Sequence, residues 1–500
     1  MNVGVDLGTT NTLCCYINES GNLCRIEFKN GKRGEKYLLP SCVAISDNGI
    51  VVGQPALDIE KTNPGAVLRN TKYHMGTDKY WKAGRVTMYA RDVAEYILKE
   101  VMAELKAQFP QEESFSALVT VPARFDTQPP RQQTKEALAS AGFLFDNENA
   151  LMDEPLAAAV AYSNSLRNSK IVLVVDIGGG TFDLSLLHSD MIGAASSNNR
   201  VNPVAWDGDM FLGGNDADKL ILGMILDKVE EDGKATFIKG IQRTDPRAAS
   251  YNSEVSNALS RLADSTADIK KQLYDPDTDS AYVYFEDLLP GYDCDMEITK
   301  EQYIEAASNM AGKMRDKIES IFQHSGYTPE ETDSVIVVGG MAREICLNKI
   351  LIEMFGKEKV FIPDDSMFLV ARGAAICNSN LRMHVVSKAY SNIGILIHDE
   401  TDVDVLIHEG DEITQDFRVE RMICPSENKA SRLTIKIVEF KGSFERKKCS
   451  VVNNTTILLQ KKLLAREQKI HGVFTLNKDN LLNVEYTQIG GASTIVSVRL

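Results

Sequence analysis

No run of about 18 apolar residues occurs in this 500-residue sequence, so no helix is expected to cross a bilayer. A basic face is missing too. Against 70 aspartates and glutamates stand 55 lysines and arginines, a net charge of −15, which argues against nucleic acid as the main partner. The seven histidines show no H-x-x-x-H pattern and the nine cysteines lack metal-ligand spacing, so a zinc site is not expected. Cys14 and Cys15, adjacent in a strand-like stretch, read as buried small hydrophobes, and a reduced, cytoplasmic setting fits this cysteine usage. No charged leader or apolar core precedes the first strand at Asn2 or Val3, so no secretory signal is expected. What is present is ordinary for a globular protein: 43% hydrophobic and 25% charged residues, over a length that suggests about three domain-sized units.

Within that ordinary composition, one pattern repeats. Val5-Asp6-Leu7-Gly8-Thr9-Thr10 is echoed by Val175-Asp176-Ile177-Gly178-Gly179-Gly180-Thr181. Each copy is an apolar strand (3–5 and 171–175) running into an Asp and then a glycine-bearing tight turn. A third strand and turn, 335–340, ends in Gly339-Gly340. Glycine in such turns permits positive φ and lets backbone N–H groups approach an anion. An Asp at the strand end can hold a hydrated divalent cation. One such turn is no more than an ordinary strand-to-helix connection. Three, with the Asp repeated at the same offset, describe a clamp for a metal–polyphosphate built from two related halves.

The rest of the chain follows that plan. A smaller insert opens at 36–45. From 91 to 109, Val93, Ile97, Val101 and Leu105 recur every fourth residue, an amphipathic helix. Residues 117–121 form a buried strand ended by Pro122, and 131–141 a helix stopped by Gly142. Glu154 sits at a strand-to-helix junction, with Pro155 in the first turn. In the second half, strands at 171–175 and 182–187 precede a charged helical region at 213–274, two helices around 299–323 and a strand at 335–338. The last helix, from near Val370, carries Ala371, Gly373, Ala374 and Ala375, suited to close packing. After about Met383 the texture changes to short alternating segments: 393–397, 403–407, 433–438, 456–459, 473–476, 484–486 and 494–498. These argue for an all-β sandwich. The expected division is a duplicated α/β domain at 1–382 with inserts at about 32–90 and 208–290, a linker at 383–391, and a β-rich domain at 392–500.

Together these motifs resemble the DnaK-type heat shock protein 70 chaperones, on the actin-like (ribonuclease-H-like) ATPase fold. The resemblance is carried by Asp6-Leu7-Gly8-Thr9-Thr10-Asn11, Leu39-Pro40-Ser41, Val121-Pro122-Ala123, residues 153–159, residues 176–183, Leu212-Gly213-Gly214, Val337–Gly340 with Arg343, and Gly373-Ala374-Ala375. It covers nearly all of 1–380 and is weaker over the β-rich tail. The sequence ends at Leu500 on a strand, so a substrate-binding part without the family's helical lid is expected.

The resemblance implies that Lys72 contacts the terminal phosphate and Glu154 orients or deprotonates the attacking water. Asp6 and Asp176 would hold hydrated Mg²⁺, with the Thr181 hydroxyl on the γ-phosphate side. Gly8, Thr9, Thr10, Asn11, Gly178, Gly179, Gly180, Gly213, Gly214, Gly339 and Gly340 would cradle the nucleotide. Arg343 and Lys271, beside Lys270, would cover the adenine, and Pro122 with Arg131 would relay nucleotide state. The implied cofactors are ATP or ADP with Mg²⁺, and K⁺ as a further candidate. The implied partners are unfolded or extended peptides, a J-domain protein and a nucleotide exchange factor, with neither nucleic acid nor membrane. Departures cluster near the base: Ala267 replaces a ribose-binding glutamate, with Asp268 beside it as a candidate substitute, and Tyr274 and Met341 replace serines. The loop before Arg131 (Gln128-Pro129-Pro130) is one residue longer. The linker offers Met383-His384-Val385-Val386-Ser387-Lys388 in place of a leucine run.

These residue types suit the chemistry, because phosphoryl transfer to water needs positioning and charge neutralisation more than covalent catalysis. Alone, Lys72 reads as a surface lysine, and Glu154 equally as a functional carboxylate or a favourable charge at a helix N-terminus. Two other classes share the fold: a small-molecule kinase, which needs an acceptor pocket and an Asp base, and a filament-forming relative.

Overall fold

Two sheets of one plan account for the first part of the chain. Asn2–Leu7 pairs in parallel with Ser116–Val121 and antiparallel with Asn11–Ile17. Ile171–Ile177 does the same with Ser334–Val338 and Phe182–Asp190. The strand orders correspond: Leu151–Asp153, Ser116–Val121, Asn2–Leu7, Asn11–Ile17, Leu23–Arg25 in the first lobe, and Val360–Phe361, Ser334–Val338, Ile171–Ile177, Phe182–Asp190, Arg200–Asp209 in the second. The second sheet continues with His384–Val385, parallel to Arg200–Val201. The computed structural model describes residues 1–500 apart from 47–48, 61–62, 84–85, 126–127, 146–149, 163–165, 167–168, 191–199, 210, 235–252, 380–383, 386, 389–391, 398–399, 410, 414–416, 429, 441, 460–463, 477–480, 489–492 and 500.

The central strands are apolar on both faces because helices cover both. Val172, Leu173, Val174 and Val175 are all fully buried. The lobes meet where Leu369–Asn378 packs against both Asn2–Leu7 and Glu154–Ala161. A Cβ on Gly373 would fall 1.8 Å from the Ala157 carbonyl oxygen, and one on Gly4 would fall 2.1 Å from the Ala375 nitrogen. The run of small residues near 373 is therefore a requirement of backbone contact.

Inserts flank the cleft. Cys42–Ser46, Gly49–Val52 and Val67–Arg69 form a small sheet on the first lobe. On the second, the hairpin Ser280–Leu289 with Tyr292–Thr299 packs on Ser253–Tyr274. This hairpin and Arg200–Asp209 were not expected from sequence. In the hairpin, Ala281 and Val283 are buried while the alternating Tyr282 and Tyr284 are 61% and 52% exposed. Aromatics on the wet face hide the apolar-polar alternation.

The C-terminal part is a β-sandwich. One sheet runs Asp402–Ile407, Asn392–Ile397, Arg432–Phe440, Ser450–Leu458, and the other Arg418–Ile423, Ile470–Leu476, Leu481–Gln488, Ser493–Arg499. Ile395 and Ile437 from the first meet Phe474 and Tyr486 from the second in a core separate from those of the lobes. Arg418–Ile423 is a strand the sequence reading lacked, its Arg and Glu residues masking the pattern. Of the expected linker, Met383, Val386 and 389–391 lie outside the described residues. Among the described residues no helix is long and apolar enough to cross a membrane.

Candidate functional site

The glycine turns of both lobes open onto one cleft of about 720 Å³. The strand plan puts the two repeated aspartates there. Asp6 stands in register with Thr120 and Leu13, and Asp176 with Val338 and Asp183. The third turn closes the floor: Gly339 has φ +90°, and a Cβ there would fall 2.4 Å from the Ile177 carbonyl oxygen.

Lys72 enters from the first insert, on the 3₁₀ turn Thr71–His74, after Asn70 in the left-handed region (φ 57°). Its Nζ donates to Glu154 Oε1 at 2.6 Å and to the Leu7 carbonyl at 2.5 Å. Both side chains are 9% exposed, so this is a buried ion pair. Glu154 is the first residue of Glu154–Ala161.

Burial and like charge act together on the two repeated aspartates. Burial pushes the Asp6 carboxyl up to about 7, nearby Glu154 adds to the rise, and Lys72 and the Thr120 hydroxyl oppose it. Burial also raises the Asp176 carboxyl well above its ordinary 3.8, reinforced by Glu154, Asp183 and Asp6 and opposed by Lys72. Asp183 is raised by burial and relieved chiefly by Arg124. Around Asp6 and Asp176 negative charge thus outweighs positive charge.

Of the residues named from sequence, Asp6, Gly8, Thr9, Thr10, Asn11, Lys72, Pro122, Glu154, Asp176, Gly178, Gly179, Thr181, Gly214, Lys270, Lys271, Gly339, Gly340 and Arg343 all line the cleft. Gly180 and Gly213 do not line it. They lie behind it, where a Cβ would strike the Tyr73 hydroxyl at 1.9 Å and the Gly178 carbonyl at 2.8 Å respectively. Arg131 is also off the cleft, donating to the Phe125 carbonyl and to Asp153, the residue before Glu154.

Elsewhere on the cleft, Arg343 is paired with Asp364 at 2.9 Å, Lys271 lies 3.6 Å from Glu35, and Lys270 lies 2.9 Å from Asp218. Ala267, Tyr274 and Met341 also line the cleft. Asp268 is 77% exposed and is not among the residues lining the cleft. Sequence reading missed the interlobe pair Arg124–Asp183 at 2.9 Å and the relay Tyr274–Tyr303–Glu344, with its 2.8 Å hydroxyl contact. Asp183 lay within a quoted motif; Arg124 had no signal beyond its place two residues after Pro122.

Two duplicated sheets clasping a cleft at their turn ends, followed by a β-sandwich, define the actin-like ATPase architecture with an appended sandwich domain. A family model described as Hsp70 protein matches residues 2–422, and the chain belongs to the Hsp70 family. It is 31% identical over 381 residues to "Chaperone protein DnaK" of Thermosipho melanesiensis, covering 75% of this chain and 58% of that protein. The protein of the same name from Thermotoga neapolitana is 30% identical over 382 residues, with the same shares. That from Thermosipho africanus is 32% identical over 381 residues, again with 75% and 58% covered. The chain thus aligns with 58% of the length of these relatives.

Proposed function

We propose that this chain binds ATP in the interlobe cleft, hydrolyses it slowly, and couples nucleotide state to binding of extended peptide by the β-sandwich. The observation that carries the reading is the buried Lys72–Glu154 pair set against Asp6 and Asp176 between the repeated turns. In this reading Lys72 exchanges its bond to the Leu7 carbonyl for one to a terminal phosphate oxygen, a compact charge where negative charge must be held. Glu154 accepts a hydrogen bond from the attacking water and holds its proton. Backbone amides of the glycine turns supply ground-state phosphate contacts.

Asp6 and Asp176 suit Mg²⁺, since each is a buried carboxylate in need of positive charge. Mg²⁺ prefers to keep several of its waters, so the two carboxylates would hold it through water. That ion would neutralise phosphate charge. K⁺ remains a further candidate cation of the same region.

Arg131 supports a relay role, because it ties the loop after Pro122 to Asp153. Peptide would add to an edge strand of the sandwich, where main-chain groups are open. A J-domain protein and an exchange factor are the proposed partners. The boundary at 382 and a cytoplasmic setting belong to the same proposal; all nine cysteines being free thiols supports the latter.

The test is phosphate release from ATP by the full chain, with and without Mg²⁺ and an extended apolar peptide. Mg²⁺-dependent turnover without any acceptor, altered by the peptide, is expected. Turnover that appears only when a small hydroxylated acceptor is added would replace this reading by a kinase.

A further inference from the structure

Four strands form the edges of the sandwich, and three of them carry charge. Asp402–Ile407 has Asp402 and Asp404, Arg418–Ile423 has Arg418, Glu420 and Arg421, and Ser493–Arg499 ends in Arg499. Arg421 also closes its flank. Its Nε donates to Asp404 at 3.0 Å and its Nη2 to the Val405 carbonyl at 3.3 Å, both on the edge of the opposite sheet. Its Nη1 donates to the Glu420 carbonyl at 3.1 Å. An arginine that takes up edge carbonyls leaves fewer acceptors for an added strand.

The fourth edge has no such guard. Ser450–Leu458 is the longest of the four, nine residues against six, six and seven, and contains neither a charge nor a proline. On one side it pairs with Arg432–Phe440. On the other, its main chain makes no hydrogen bond among the described residues. Ser493–Arg499 approaches it without joining it in a ladder, and Val451 and Leu458, near its two ends, are 46% and 76% exposed. An uncharged, unpaired edge of that length is a template for another strand.

Charge says which strand. In a two-fold pair of identical strands every charge has its own copy close by, so a charged edge repels itself. Ser450–Leu458 offers only Ser, Val, Asn, Thr, Ile and Leu. With the two-fold axis at the middle residue, Asn454 faces its own copy, Asn453 faces Thr455 and Val451 faces Ile457. Amide and hydroxyl groups then hydrogen-bond across the axis, and the branched aliphatics pack. The joined sheet ends on Asp402–Ile407 at both sides, the strand that Arg421 seals, so association stops at two.

We infer that Ser450–Leu458 is a self-association edge, along which two copies of this chain pair antiparallel and join their four-stranded sheets into one. Nucleotide takes no part in this contact, so it stands or falls separately from ATP turnover.

Sedimentation equilibrium of the full chain over roughly 1 to 200 µM tests it, since so small a contact gives a weak, concentration-dependent dimer. The dimer fraction should rise with concentration, and also with salt, which screens the −15 charge of each copy. The variants are Leu458→Glu, at the exposed end, and the pair Asn454→Glu/Leu458→Glu. Each new acid sits opposite a base within its own sheet, Lys436 or Arg432, so thermal melting should stay close to wild type. Across the axis the acids repel, and the double variant should weaken the dimer at least about tenfold. Mixing Asn454→Glu chains with Asn454→Lys chains should restore association that neither shows alone. A wild-type chain that stays monomeric throughout overturns the pairing, and if such a monomer binds an uncharged extended peptide at this edge, the edge belongs to peptide. A dimer that folded Asn454→Glu/Leu458→Glu leaves unchanged overturns it as well.

Discussion

Asp6 and Asp176 occupy one position in two copies of the same strand plan, yet their neighbours differ. Beside Asp6 stands Thr120, whose hydroxyl donates to it at 3.4 Å. Beside Asp176 stands Asp183, a second carboxylate, and the cation that balances Asp183 comes from the other lobe. Lys72 and Glu154 both belong to the first lobe. Arg343 and Lys271 belong to the second, which also carries the extra edge strand His384–Val385. Duplication thus preserved the backbone that brings two Asp residues to a cleft. The side chains around it differ: the buried Lys72–Glu154 pair belongs to one lobe, Arg343 and Lys271 to the other.

The largest test of this division removes the Lys72–Glu154 pair. Lys72→Ala should cut ATP turnover by about 10²–10³-fold while much of the nucleotide affinity remains, because turn amides hold the ground state. It should also destabilise the chain by roughly 3–5 kcal/mol, since Glu154 is left buried without its cation. Glu154→Gln should lose turnover at much smaller cost, as its amide oxygen still accepts from Lys72. Phosphate-release assays beside thermal melts would show both. Wild-type turnover in Lys72→Ala would dissolve the asymmetry between the lobes.

Next comes pH. Burial raises Asp6 from its ordinary 3.8 to about 7, and Asp176 and Asp183 move the same way. Between those values the unfolded chain has released protons that the folded chain keeps. Folded stability from these groups is therefore full at low pH and falls as pH rises from about 4 to about 7. Melting of the metal-free chain should show that fall, and Asp6→Asn should flatten it. Asp176→Asn should flatten it more, because Asp183 adds like charge on that side. Equal flattening would mean the neighbours matter less than burial alone.

On the second lobe the effect is smaller. Arg343→Ala should weaken ATP about fivefold, the worth of one stacking contact of about 1 kcal/mol, since the side chain must also leave its exposed pair with Asp364. A loss of a hundredfold would move the weight of binding from the phosphates to the base.

The sequence exposed what repeats and hid what is contributed singly. The Asp-turn echo, the small residues at 371–375 and the junction at Glu154 are local, so they could be read before any contact was known. The two sheets and the sandwich followed from strand texture. Arg124, Tyr303 and Glu344 carry no local pattern; only the register of distant strands and helices brings them to Asp183 and Tyr274. Arg418–Ile423 and the hairpin at 280–299 were hidden by polar or aromatic outward faces.

The smallest expected effect concerns the strand that only the second lobe possesses. His384–Val385 pairs with Arg200–Val201 over two residues at the sheet edge, beyond the expected boundary at 382. Each main-chain hydrogen bond there contributes about 1 kcal/mol net, so a fragment ending at 382 should melt a few degrees below one ending at 388. Its turnover should stay within about twofold, because the cleft lies at the other end of the central strands and the sandwich has a separate core. Melting and ATP turnover of the two fragments, side by side, decide it. A fragment ending at 382 that fails to fold would show that this edge strand is part of the second lobe's framework. The two lobes would then differ in what holds their sheets together as well as in what lines the cleft.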